Sequence, residues 1–166
     1  MKSSSNGPIP QRVSAIDVSY KSLRESQDQA KENKGMMTLS DARRVIAAAE
    51  KKAEEIEQPM NIAVVDAGGN LVAHVRMDGA WMGSIDISIN KAFTSRAFDI
   101  ATQDLSKMSQ PGEDFYGIHA SNGGRIMIFA GGIPLKRDGQ VVGAIGVSGG
   151  MGDQDHEVAE AGAEAF

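Results

Sequence analysis

The sequence predicts an α+β domain, an antiparallel sheet with helices on its faces. Three observations carry that expectation. Asn61–Asp66 (NIAVVD) and Leu71–Asp78 (LVAHVRMD) are two strand-like runs joined by the turn Ala67–Asn70. Gly123–Gly150 holds nine glycines in 28 residues, yet branched apolar residues fill the gaps, so it is not a flexible linker. Three further segments show helical spacing, which gives the order α-β-β-α-loop-β-β-α.

The elements follow in order. Residues 1–37 are polar, with one weak amphipathic stretch at Val13, Ile16 and Tyr20 or Leu23, and are read as an N-terminal extension. Thr38 opens a single domain over 38–166 and forms a capping pair with Asp41. Ala42, Val45, Ile46, Ala49, Ala53 and Ile56 then follow helical spacing until Gln58-Pro59 ends the helix. In the second strand Leu71, Ala73, Val75 and Met77 share one face, while Val72, His74, Arg76 and Asp78 share the other. Ser84–Phe98 reads as a helix with two apolar stripes, Ile85/Ile89/Ala92/Phe93 and Ile87/Lys91/Thr94/Phe98. A helix apolar on two sides is sandwiched between layers or lies at a subunit interface. Residues 101–122 form a long loop carrying a short helical piece near Leu105, then Phe115, Tyr116 and His119. Ile126–Phe129 is a short apolar run, Asp138-Gly139 a hairpin dipeptide, and Val141, Val142, Ile145 and Val147 lie on the return strand. Glycines inside that hairpin imply close approach of another backbone or of a ligand. Asp153 caps a last helix, with Asp155 and Glu157 in its positively polarised first turn.

Composition narrows function. The net charge of −5 divides into +2 over residues 1–37 and −7 over the rest, with no basic patch, which argues against a nucleic-acid partner. No apolar stretch approaches membrane-spanning length. The absence of cysteine removes disulfides, thiolate nucleophiles and iron–sulfur ligation. The opening MKSSSNGPIPQR lacks the apolar core of a secretory signal, so the expectation is a cytoplasmic protein.

No nucleophile elbow, P-loop or H-E-x-x-H pattern occurs. The three histidines, His74, His119 and His156, lack zinc spacing, but a haem needs only one axial histidine. What remains is a constellation: Arg76 and Asp78 at a strand end, Lys91 on the next helix, His119 in the long loop, and the glycine-lined hairpin with Ser148. Arginine and lysine together suit a carboxylate, such as a small organic acid or a haem propionate. Arg76, Asp78 and Lys91 are expected to form one ionic cluster.

The segments NIAVVDAGGNLVAHVRMDGA, NKAFTSRAF, NGGRIMIFAGGIPLKRDGQVVGAIGVSGG and Gln154-Asp155…Ala161-Gly162 resemble the GlcG/HbpS family, also called the haem-degrading domain family. The likeness extends to the tail domain of a cobalamin adenosyltransferase and spans residues 38–166. It implies a profilin-like α/β/α fold with a five-stranded antiparallel sheet, and assembly into homo-oligomers. The matching motif residues are Arg76, Asp78, Lys91, Gly131, Gly132, Pro134, Ser148 and Asp155. The expected function is binding of haem or another small molecule between the Arg76–Asp78 strand end, Lys91 and the Gly131–Pro134 turn. His119 is the candidate axial ligand. The alternatives are a metal-independent enzyme acting on a small carboxylate or carbonyl compound, with Lys91 or His119 transferring the proton, and an assembly scaffold without ligand.

Overall fold

The computed structural model describes residues 35–166, which form one unit. The amphipathic stretch expected at Val13–Leu23 lies outside the described residues. Thr38 and Asp41 cap α1 (Leu39–Glu55) reciprocally. The Thr38 hydroxyl accepts from the Asp41 amide, and the Asp41 carboxylate accepts from the Thr38 amide, both at 3.1 Å. Ala42, Val45, Ile46, Ala49 and Ala53 are buried, as the spacing requires. Met37, assigned to the extension by sequence, is buried against the same core.

Strands β1 (Asn61–Asp66) and β2 (Leu71–Arg76) pair antiparallel, as do β3 (Gly132–Arg137) and β4 (Gln140–Ser148). Asp138 and Gly139 both have positive φ, at 51° and 80°, the geometry of a tight hairpin turn matched to strand twist. The sheet order is β2-β1-β4-β3, four strands where the family resemblance implied five. The apolar run Ile126–Phe129 adds none, because the Met127 amide bonds to the Thr94 hydroxyl and not to a neighbouring strand. The strand toward the hairpin begins only at Gly132. The second strand likewise ends at Arg76, short of Asp78.

Helices α1 and α4 (Gly152–Glu164) cover one sheet face, enclosing Ile62, Val64, Ile145, Val147 and Val158. Helix α2 (Ser84–Phe98) covers the other, over Ala63, Val65 and Ala144, and α3 (Thr102–Met108) follows it. The α2 bounds match the sequence reading, which left open the stripe that faces the sheet. Its buried residues are Ser84, Ser88, Asn90, Lys91, Ala92, Thr94 and Ser95. Ile85, Ile87, Ile89 and Phe93 are only partly buried, and Phe98 is exposed. The cause is the glycine pattern of the hairpin. A Cβ on Gly146 would collide with the Ser88 carbonyl and the Ala92 amide, and one on Gly132 would sit 2.6 Å from the Lys91 carbonyl oxygen. Helix backbone therefore rests on strand backbone, and only small side chains fit between.

Candidate functional site

Lys91 is the most buried cation of the described chain, with no solvent exposure. Its ammonium donates to an Asp155 carboxylate oxygen at 2.5 Å and to the Val147 carbonyl at 2.9 Å, and the Phe129 ring lies 4.8 Å away. The second Asp155 oxygen accepts from the amides of Gly149 (3.1 Å) and Gly150 (2.9 Å). Gly131, at φ 116°, passes so close that a Cβ there would lie 2.9 Å from the ammonium. Burial pushes the Lys91 ammonium down and the Asp155 carboxyl up, while their mutual attraction opposes both shifts. The pair thus ties α2, the end of β4 and the start of α4 together, with each charge met by several hydrogen-bond partners.

This corrects two expectations. Lys91 is not paired with Asp78, which has no basic partner within 4 Å among the described residues. Nor does Lys91 present a cation to a pocket, because its ammonium is sealed beneath Phe129 and held by main-chain and carboxylate oxygens. Gly131 and Gly132 are buried under α2 and Ser148 is buried beside Asn61, so these three line the helix–sheet contact. Pro134 is partly buried on the edge strand β3, a place where its missing N–H costs least.

The remaining expected site residues face outward. Arg76 ends the other edge strand and is exposed, as is Asp78 in the following turn. That turn leads to Trp81 and Met82, which are 68% and 75% exposed, ahead of α2. His119 is exposed in a short 3-10 turn, Ile118–Ala120. The loop carrying it is tied to α2 at Arg125, whose guanidinium stacks 3.6 Å above the Phe93 ring and donates to the Asn90 side chain. Asn61, the register partner of Arg76, donates to the Trp81 carbonyl, so the Arg76 strand end lies near the start of α2, while Arg125 meets the middle of that helix.

Sequence reasoning missed several residues. Thr102 is buried and accepts from the Gly132 amide at 2.8 Å, pinning α3 to β3. Asn61 is fully buried, with its side-chain amide donating to the Trp81 carbonyl. Its polar identity at the head of an apolar strand was the available signal. His74, whose pKa burial lowers, has its Nε2 buried without a partner.

The HbpS-like family, described as haem-degrading protein HbpS-like, matches residues 37–164. A 15.0 kDa protein from the dhaT–dhaS intergenic region of Citrobacter freundii is 43% identical over 78% of this chain and 92% of its own length. The corrinoid adenosyltransferase PduO of the same organism is 35% identical over 75% of this chain, which spans only 37% of that protein. GlcG of Escherichia coli K12 is 33% identical, covering 69% of this chain and 83% of its own. Among solved structures, PduOC in complex with haem superposes with a TM-score of 0.76 at 33% identity, covering 79% of this chain and 95% of that one. HbpS of Streptomyces reticuli, as a double mutant, gives 0.71 at 32% identity, covering 79% and 87%. This chain belongs to the GlcG/HbpS family, whose HbpS-like members include the tail of PduO.

Proposed function

We propose that this protein binds haem, or a similarly flat carboxylate-bearing molecule, against the outer side of α2, with a second copy of the chain closing the site. The observation that carries this reading is the orientation of α2. Ile85, Ile87 and Phe93 stay only partly buried while Ser88, Ala92 and Ser95 lie beneath the helix, and Trp81 and Met82 stand exposed just ahead of it. A solved relative at 33% identity is a haem complex, which supports haem as the first ligand to test. The chain's own residues fit such a group. Arg76 is an exposed cation without an ion pair among the described residues, suited to a propionate. His119 is exposed and is the axial-ligand candidate. When bound, haem would supply an iron centre. The chain's part is to hold the apolar ring, pair its carboxylates and exclude water.

In this reading Lys91, Asp155, Gly131, Gly132 and Ser148 act as the frame that fixes α2, and Pro134 belongs to the far edge. Oligomerisation is part of the proposal, since a single chain leaves this surface open. The cysteine-free composition fits a cytoplasmic setting.

Titration of the protein with hemin tests the proposal. The expected result is a saturable Soret shift at roughly one haem per chain, moved or abolished by His119→Ala. Linear, unsaturable binding that His119→Ala leaves unchanged would reject it.

A further inference from the structure

Asn61 is a buried polar residue that stability does not explain. It heads β1 between Arg76 and Ser148, and alternation puts its side chain on the sheet face of Ala63 and Val65, beneath α2. It has no solvent exposure. Its Nδ2 donates to the Trp81 carbonyl at 2.9 Å, while its Oδ1 is buried without a partner among the described residues. A neutral hydrogen bond adds little to stability, and an orphaned buried acceptor costs at least as much as such a bond returns. The Trp81 carbonyl would also stay satisfied without Asn61, because the Ser84 amide reaches it at 3.1 Å. Apolar β-branched residues suit such a strand better.

What Asn61 does is local. The connection Asp78–Gly83 leads from β2 into α2, and Ala80 is its one buried residue. Trp81 and Met82 stand exposed, so their side chains do not anchor it. Main-chain bonds close its turns, from the Ala80 amide to Met77 and from the Ser84 amide to Trp81, and the Gly83 N-cap of α2 makes no side-chain bond. Among the described residues, Asn61 is the single side chain that hydrogen-bonds to the connection.

We infer that Asn61 is a positioning residue for the ligand site. Through the Trp81 carbonyl it fixes the Trp81–Met82 wall and the first turn of α2 before a flat ligand arrives, so less order has to be gained on binding. The inference rests on the proposed ligand surface and adds the residue that pre-forms it, at a cost in stability.

The test compares the full chain with Asn61→Val and with Ile62→Val, a core change on the opposite face of the same strand. Asn61→Val should leave the thermal midpoint unchanged or raise it, yet weaken hemin binding by about tenfold. Trp81 is the sole tryptophan, so its fluorescence reports on the connection directly. Its nanosecond anisotropy decay should quicken in Asn61→Val with no hemin present. Ile62→Val should do the reverse, lowering the midpoint while hemin affinity and Trp81 anisotropy stay unchanged. A lower midpoint or misfolding in Asn61→Val would make Asn61 a structural residue and overturn the inference. So would unchanged hemin affinity or unchanged anisotropy in that variant. If the unmodified protein binds no hemin, the ligand reading fails by itself, and the Trp81 anisotropy of Asn61→Val still decides whether Asn61 holds the connection.

Discussion

Lys91 and Asp155 show what a buried charge does for this fold. Removing one partner leaves the other uncompensated in a dry contact, so Lys91→Met alone should cost about 3–5 kcal/mol in urea denaturation. Lys91→Met with Asp155→Leu should recover only part of that loss, because the apolar pair needs no charge partner but leaves the Gly149 and Gly150 amides without their acceptor. If the double variant were as unstable as the single one, the pair would not be the element that fixes α2. At the surface end of the fold, burial raises the Asp41 carboxyl. Hydrogen bonds from Thr38, Arg137 and Arg44 outweigh that effect and hold it at about 2, against an ordinary 3.8. A depressed carboxyl stabilises the folded state above its unfolded pKa, so this contribution is complete above 3.8 and fades as pH falls toward about 2. Thr38→Ala removes the cap and should cost about 1 kcal/mol near neutral pH, with a smaller difference in strong acid. The sequence singled out Lys91 correctly as a cation among apolar neighbours. It paired it with Asp78, nearby along the chain, whereas the true partner lies 64 residues away. Spacing reports neighbours on one element; it carries no information about which distant element folds back.

Among elements, α2 was legible in its limits and not in its facing. Leucine-sized residues normally mark the inward stripe, and the sequence offered two such stripes without deciding which faces the sheet. The glycines of β3 and β4 decide the facing, because they let the helix backbone approach until Ser88, Ala92 and Ser95 are buried beneath it and Ile89 packs partly buried beside them. The close approach itself was legible in Gly132 and Gly146, as was the hairpin turn at Asp138-Gly139. Gly146→Ala should therefore destabilise the fold by at least about 1–3 kcal/mol, since the new methyl meets main chain that cannot step aside. Ala97→Ser, on the exposed side of the same helix, serves as control and should change stability by less than about 0.5 kcal/mol. A tolerated Gly146→Ala, with unchanged thermal unfolding, would contradict the backbone-on-backbone packing. The run Ile126–Phe129 misled for a related reason: its apolar character reflects packing near α2 and the Lys91 ammonium, not a sheet ladder.

For the whole molecule, the described unit has a filled core on one sheet face and a thin, small-residue layer on the other. Ile85, Ile87 and Phe93 of α2 stay only partly buried, and Trp81, Met82, Phe115 and Tyr116 are exposed. Exposed side chains of this size are expected to be covered by a second copy of the chain, and about 800 Å² per partner would make a contact of standard size. Light scattering with size exclusion should give a multiple of the 17.6 kDa chain mass that persists in high salt, since an apolar contact is not screened. A monomer at micromolar concentration would remove the closed site from the proposal. The central claim, that the ligand sits on the outer side of α2, is tested most directly by hydrogen exchange with and without one equivalent of hemin. Protection gained over Trp81–Phe98 and the loop from Phe115 to Arg125, with α3 and α4 unchanged, is the predicted result. Protection confined to α3 and α4, or none at all, would contradict it.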